Sequence, residues 1–272
     1  MKANQMKKYI NLIAIAIISI LSYSCEETVN GVELPYQELL VIRGELRANE
    51  QFNIAINKTL PPLEEYSREN SIISGVKAYI ECDGKQYTLT NNSQDEYTNA
   101  ELIPTPGKTY KLYAEWKNHK AYATTTIPTN NDTVYNIKIQ SKYTENEWGD
   151  QMWKYIVSAD AILSGNSVVL IKAINNSQYH YDDSEFAAKI DKDFTGNITI
   201  GTYPYWYYGE FGLSSIILTK YDLPYFDYYV TRREGDMNDD VFAISGNNIA
   251  WNIKGDGIGL FIGSNKKEII LK

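Results

Sequence analysis

Two cysteines and two histidines are all that 272 residues offer for soft metal binding or disulfide formation. They furnish neither a zinc ribbon or finger nor a disulfide framework. Basic side chains are also scarce, 26 against 34 acidic ones, and the one basic cluster lies at the extreme N-terminus. A nucleic-acid binder is therefore excluded, because such affinity comes largely from Lys and Arg neutralising phosphates. No run reaches eighteen apolar residues, so no segment reads as a transmembrane helix. What is abundant is tyrosine, 23 residues against seven Phe and five Trp. With 43% hydrophobic residues the chain has the means to fold around a core.

The first 25 residues point to a compartment. Lys2, Lys7 and Lys8 form a positive segment, and Leu12 to Leu21 is apolar except for Ser19. As a helix these ten residues rise about 15 Å, half the thickness of a bilayer core, which suits a secretory signal. Ser22-Tyr23-Ser24 then precedes Cys25, small residues at the spacing of a relaxed bacterial lipobox. Residues 1–24 are expected to be a lipoprotein signal peptide, with Cys25 lipidated as the first mature residue. The alternative is an ordinary signal peptide cleaved nearby, leaving a free thiol. Losing three lysines and no acid shifts the balance from −8 to −11. Anionic lipid repels such a chain, so the lipid itself must anchor it. Glu26 and Glu27 follow the cysteine at the place of a surface-export signal.

Beyond a polar tether at 25–35, apolar alternation of period two dominates. Strands are expected at Leu39–Glu45 and around Phe52, Ile54 and Ile56, followed by a loop from Leu60 to Asn70. Val76, Ala78, Ile80 and Cys82 alternate up to Asp83-Gly84, a type I′ hairpin signal, with Tyr87 to Leu89 returning. Cys82 reads as a small, buried hydrophobe. Tyr110, Leu112, Ala114 and Trp116 share a face, Asn118-His119 makes the turn, and Tyr122 to Ile127 returns. So many short strands in residues 36–128 form the signature of a β-sandwich. The polar Pro128 to Asp132 segment marks a boundary. A second β-rich domain, 133–272, carries strands at Val134–Ile139, Lys154–Ile162, Val168–Ile174, Asn197–Thr202, Ser215–Lys220 and within 241–262. One helix interrupts them, from Leu223 to Glu234. Asp222 is placed to cap it, Pro224 sits in its first turn and Gly235 ends it.

Reaction chemistry is poorly represented. His119, at an expected hairpin tip, and His180, beside the acidic Asp182-Asp183-Ser184-Glu185, have no Gly-x-Ser-x-Gly elbow near them and read as solvated loop residues. Asp191-x-Asp193-x-Thr195-Gly196 opens like a calcium loop, but its twelfth position is Thr202 rather than Glu, so a turn is expected. The C-terminal glycines lack the third glycine of a dinucleotide fingerprint and follow no strand-to-helix context. No catalytic residue, metal site or cofactor is expected, and the protein reads as a non-enzyme. One run could be a contact surface: Tyr203, Tyr205, Trp206, Tyr207 and Tyr208, whose aromatic faces suit stacking on a sugar ring or packing in a protein interface.

Several segments in order resemble a known family. Cys25-Glu26-Glu27 and Leu39-Leu40-Val41-Ile42-Arg43-Gly44-Glu45-Leu46 resemble the opening of the Bacteroidota lipoprotein family catalogued as domain of unknown function 4249. Gly75 to Ile80, Gly107 to Leu112 and Thr126-Ile127-Pro128 look like its middle section. Asn252 to Phe261 is similar to its closing Asn/Gly-rich motif, and Tyr225 to Tyr229 falls where the family has an aromatic-rich helix. The resemblance implies a mainly β protein with an immunoglobulin-like antiparallel β-sandwich at the N-terminal side. It also implies an outer-membrane lipoprotein facing the cell exterior, a non-catalytic accessory subunit of a TonB-dependent nutrient receptor. A surface glycan-binding lipoprotein and a fimbrial or adhesive component are the alternatives. Asp132-Thr133-Val134 resembles a short O-glycosylation motif of exported Bacteroidota proteins, which makes Thr133 a candidate modification site.

Overall fold

Alternation of apolar and polar residues shapes both halves of the chain. The computed structural model describes residues 36–62, 64–65, 67–93, 95–145, 149, 151–175, 185–201, 205–206, 213–236 and 249–271. The protein is mainly β, with two helices among the described residues.

The first half opens with β1 (Leu40–Arg47) and β2 (Ile54–Lys58), an antiparallel pair with Ile42 opposite Ile56, both fully buried. β3 (Lys77–Cys82) and β4 (Lys85–Thr88) are joined through Asp83 and Gly84 at φ of 51° and 77°, the two positive values that a type I′ turn needs. Cys82 is half-buried and free, and burial together with the Asp83 charge pushes its thiol pKa up. β5 (Thr90–Ser93) and β6 (Glu96–Thr98) follow, then β7 (Thr109–Trp116) and β8 (His119–Thr126). Two expectations are corrected here. The segment from Leu60 to Asn70 is not loop throughout: α1 (Arg68–Ser71) forms because the Ser67 hydroxyl accepts the Asn70 N–H as an N-cap. The β7–β8 turn is made by Lys117, at φ 51°, and Asn118, while His119 already pairs with Trp116.

The second half holds β9 (Thr133–Glu145), β10 (Gln151–Leu163), β11 (Ser167–Asn175), β12 (Glu185–Ile190), β13 (Phe194–Gly201) and the two-residue β14 (Tyr205–Trp206). β15 (Leu213–Tyr221) leads into α2 (Pro224–Asp236), one residue later at its start and two at its end than expected, the usual fraying range. The chain closes with β16 (Lys254–Gly255) and β17 (Gly257–Ile270). Strand therefore continues to Ile270 instead of stopping at 262. Residues 241–248, expected to begin that strand region, lie outside the described residues. The Asp191-to-Asp193 segment turns between β12 and β13, and the Asp193 carboxylate accepts the Gly165 N–H at 2.8 Å.

These strands make three sheets. The largest has eight strands in the order β12-β11-β15-β17-β1-β2-β6-β5. A second contains β13, β10 and β14, with β9 on the other side of β10. The third runs β16-β8-β7-β3-β4. One core lies between the third sheet and one end of the large one, around Leu40, Ile42, Ile54, Ile80, Leu112 and Phe261. The other lies between the β9/β10/β13 layer and the opposite end, around Val157, Leu163, Val169, Ile171, Ile200 and Leu218.

The pairing of β1 with β17 is parallel, Leu40 beside Gly257 through to Arg47 beside Ser264, so the architecture is not wholly antiparallel. Parallel neighbours need a long crossover, and here nearly the whole chain is that crossover. Gly259, at φ 120°, allows the two backbones to approach, since a β-carbon there would collide with the Ile42 carbonyl oxygen. Asn252 imitates a further strand residue: its amide donates to the Phe261 carbonyl at 2.5 Å and accepts the Phe261 N–H at 2.8 Å.

A buried cluster ties the 128–132 link to β15. Lys220 Nζ, 1% exposed as a residue, donates to Ser164 Oγ at 2.6 Å, to the Ser164 carbonyl at 3.0 Å and to Asp132 Oδ1 at 3.3 Å. Asp132 Oδ1 also accepts the Ser164 N–H and hydroxyl, whereas Oδ2 faces Nζ at 3.2 Å without an aligned hydrogen bond, a purely ionic tie. Removing one partner strands a charge in a dry interior. Asp132→Ala is expected to cost about 3–5 kcal/mol by urea denaturation, while the pair Asp132→Leu with Lys220→Met recovers most of that loss. A double variant as unstable as the single one would contradict the charge explanation.

Candidate functional site

The third sheet packs one face onto the core and turns the other to solvent, so every second residue on its strands is displayed. Register converts that display into rows. Tyr79 lies opposite Tyr113, and Tyr113 opposite Tyr122, which in turn pairs with Lys254. The Tyr79 and Tyr113 rings stack with centroids 4.8 Å apart. A row of Lys77, Glu115 and Lys120 flanks them on one side, and a row of Glu81, Lys111 and Thr124 on the other. The charges are partnered across strands, with Lys111 3.6 Å from Glu81 and Lys120 3.9 Å from Glu115. Tyr122 is 51% exposed.

Beside Tyr122 the sheet meets a groove of about 480 Å³, within the range of small-ligand pockets. Tyr122 and Thr124 of β8, Lys189 of β12, Pro224 and Asp227 of α2, and the wall from Trp251 to Lys254 line it. Trp251 is 37% exposed, with its ring 5.7 Å from Tyr228. Tyr228 continues through Tyr225 to Tyr221, which stacks on Tyr225 at 4.0 Å. An aromatic row therefore runs from Trp251 through Tyr228 and Tyr225 to Tyr221.

Hydrogen bonds fix this wall at both ends. Thr231 Oγ1 accepts the Ala250 N–H at 3.0 Å, and the Asn252 amide holds β17. Asp222 fastens the base of α2 to β8. Its Oδ2 accepts the Thr125 hydroxyl and the Thr126 N–H, both at 2.9 Å, and its Oδ1 accepts the Leu223 N–H at 2.9 Å. Asp222 thus acts as an anchor just before the helix. Preorganised walls of this kind lower the ordering cost of binding.

Of the expected site residues only Tyr205, Trp206 and Thr133 are described. Cys25, Tyr203, Tyr207 and Tyr208 lie outside the described residues, as does His180. Tyr205 and Trp206 form β14, paired in backbone register with Trp153 and Met152. Thr133 is exposed at the start of β9, beside the buried Asp132. His119 is a strand residue rather than a hairpin tip. It stacks on Trp116 with ring centroids 5.9 Å apart, and its Nε2 lies 3.6 Å from Glu38 Oε2. Among the described residues no group of three or more His, Cys, Asp or Glu could hold a metal ion, and no helix is long and apolar enough to cross a membrane. Sequence reasoning missed Tyr79, Tyr113, Tyr122 and Trp251. The outward positions of the first three follow from their buried neighbours, such as Ala121 and Ala123 around Tyr122, but their alignment depends on register.

Comparison with known families matches residues 27–270 to the Domain of unknown function (DUF4249), nearly the whole chain, and the protein belongs to that family. No curated protein matches it.

If Asp222 sets the position of α2, Asp222→Ala leaves the Thr125 hydroxyl and two N–H groups without an acceptor. The expected cost is about 1–3 kcal/mol in urea denaturation. Asp222→Asn keeps one acceptor oxygen and is expected to fall between the two. An unchanged midpoint for Asp222→Ala would remove the anchor role.

Proposed function

We propose that this member of the DUF4249 family is an outer-membrane lipoprotein, held through Cys25 with its β domains toward the cell exterior. There it serves as a non-catalytic accessory subunit of a TonB-dependent nutrient receptor. The observation that carries the reading is the lipobox-like Ser22-Tyr23-Ser24-Cys25 placed directly before a chain of this family. A free thiol at Cys25 would leave an acidic protein with no means of staying on an anionic membrane. The exposed Thr133 is accessible for O-glycosylation in this setting, and the aromatic run at 203–208 is a candidate receptor contact.

A second reading, direct capture of a glycan at the cell surface, is favoured by the exposed tyrosine row and the groove beside it. The two readings differ in whether a receptor is a stable partner. The tagged full-length lipoprotein, drawn from detergent-solubilised outer membrane and analysed by mass spectrometry, is expected to bring down one TonB-dependent receptor near equal stoichiometry. Recovery of the lipoprotein alone would overturn the accessory role.

A further inference from the structure

We infer that the outer face of the β16-β8-β7-β3-β4 sheet is a carbohydrate-binding platform, with Tyr122 and Trp251 as its stacking residues and the adjoining groove as its end. The inference deepens the glycan-capture reading by naming the residues that stack on the sugar, and rests on the lipoprotein reading only for the location at the cell surface.

Three observations carry it. First, Tyr79, Tyr113 and Tyr122 are in register across three neighbouring strands, so the aromatic row runs across the sheet. Strand spacing of about 4.8 Å gives this row a length of about 10 Å before the groove begins. Second, hydrogen-bonding and charged side chains line both flanks, Lys77, Glu115 and Lys120 on one and Glu81, Lys111 and Thr124 on the other. A sugar ring has an apolar C–H face and a rim of hydroxyls. It needs a ring to stack on and polar groups at the sides; Tyr79 and Tyr113 stack on each other and brace the row, so the exposed Tyr122 and Trp251 supply the rings and the flanks supply the polar groups. Third, Trp251 does not hang free: Tyr228 supports its ring, Thr231 holds Ala250, and Asn252 is locked to Phe261.

Chemistry also separates a sugar chain from other occupants. An apolar helix or strand would leave the flanking charges desolvated, a costly outcome for groups now in water. An anionic membrane is disfavoured by the acidity of the whole chain. Tyr122, at 51% exposure, can be replaced without opening the core, so its variants report on binding rather than folding.

The test uses the full-length lipoprotein in detergent micelles, titrated calorimetrically with xyloglucan, laminarin, pullulan, β-mannan and polygalacturonate. Wild-type protein is expected to bind at least one of the five saturably. Tyr122→Ala and Trp251→Ala are each expected to weaken that binding about tenfold or more, a change of about 1.4 kcal/mol. Tyr122→Phe, which keeps the ring, is expected to stay within about threefold, and both Tyr122 variants keep the wild-type melting curve. The same variants are carried through the receptor pull-down, where retention of the receptor is expected. Binding to none of the five, or binding that Tyr122→Ala and Trp251→Ala leave unchanged, overturns the platform. Loss of the receptor by these variants without any polysaccharide binding also overturns it, and makes this face the receptor interface instead.

Discussion

The parallel pairing of β1 with β17 is the constraint on which the other features depend. It places the last long strand between β1 and β15, so that one eight-stranded sheet floors both cores. Phe261 enters the first core from this strand, and Ile269 packs against the second. Neither core is complete without the C-terminal strand. The close approach that the pairing requires explains Gly259, and the Asn252 amide holds the chain where it enters.

From this frame the candidate site follows. β17 carries Gly263, whose N–H donates to Thr125 Oγ1 at 2.6 Å, and the Thr125 hydroxyl in turn donates to Asp222. The Asp222 N–H closes the circuit on the Gly263 carbonyl at 3.1 Å. β8, the start of α2 and β17 are thereby fixed relative to one another within a few residues. The segment from Ala250 to Lys254 runs between α2 and β16 with both ends tied. Tyr122 and Trp251 are therefore presented by rigid backbone, which is what a binding surface requires if ordering entropy is not to consume its affinity.

How much of this was legible in the sequence depends on range. Strand positions in the first half were visible, because Tyr110, Leu112, Ala114 and Trp116 alternate with polar residues and Asp83-Gly84 has only one comfortable hairpin geometry. The helix after Asp222 was visible for its proline and spacing, although Gly235 lies inside its last turn instead of ending it. α1 was not, because four residues give no helical period and only the Ser67 cap marks it. The turn at Lys117 was displaced by one residue because Asn118 is the stronger turn former by composition. Register was invisible altogether. Tyr79, Tyr113 and Tyr122 are scattered along the chain, and nothing local says that they stand side by side. The same holds for Leu40 and Gly257. The dense run at 203–208, by contrast, makes a signal by composition alone.

If one continuous sheet floors both cores, the two halves cannot melt independently. Differential scanning calorimetry on the protein, paired with far-UV circular dichroism and tryptophan fluorescence, tests this directly. The account predicts one transition in which all probes coincide and the calorimetric enthalpy equals the van't Hoff enthalpy. Two resolved transitions, or a calorimetric enthalpy well above the van't Hoff value, would contradict it and show that the β1–β17 pairing does not unite the fold.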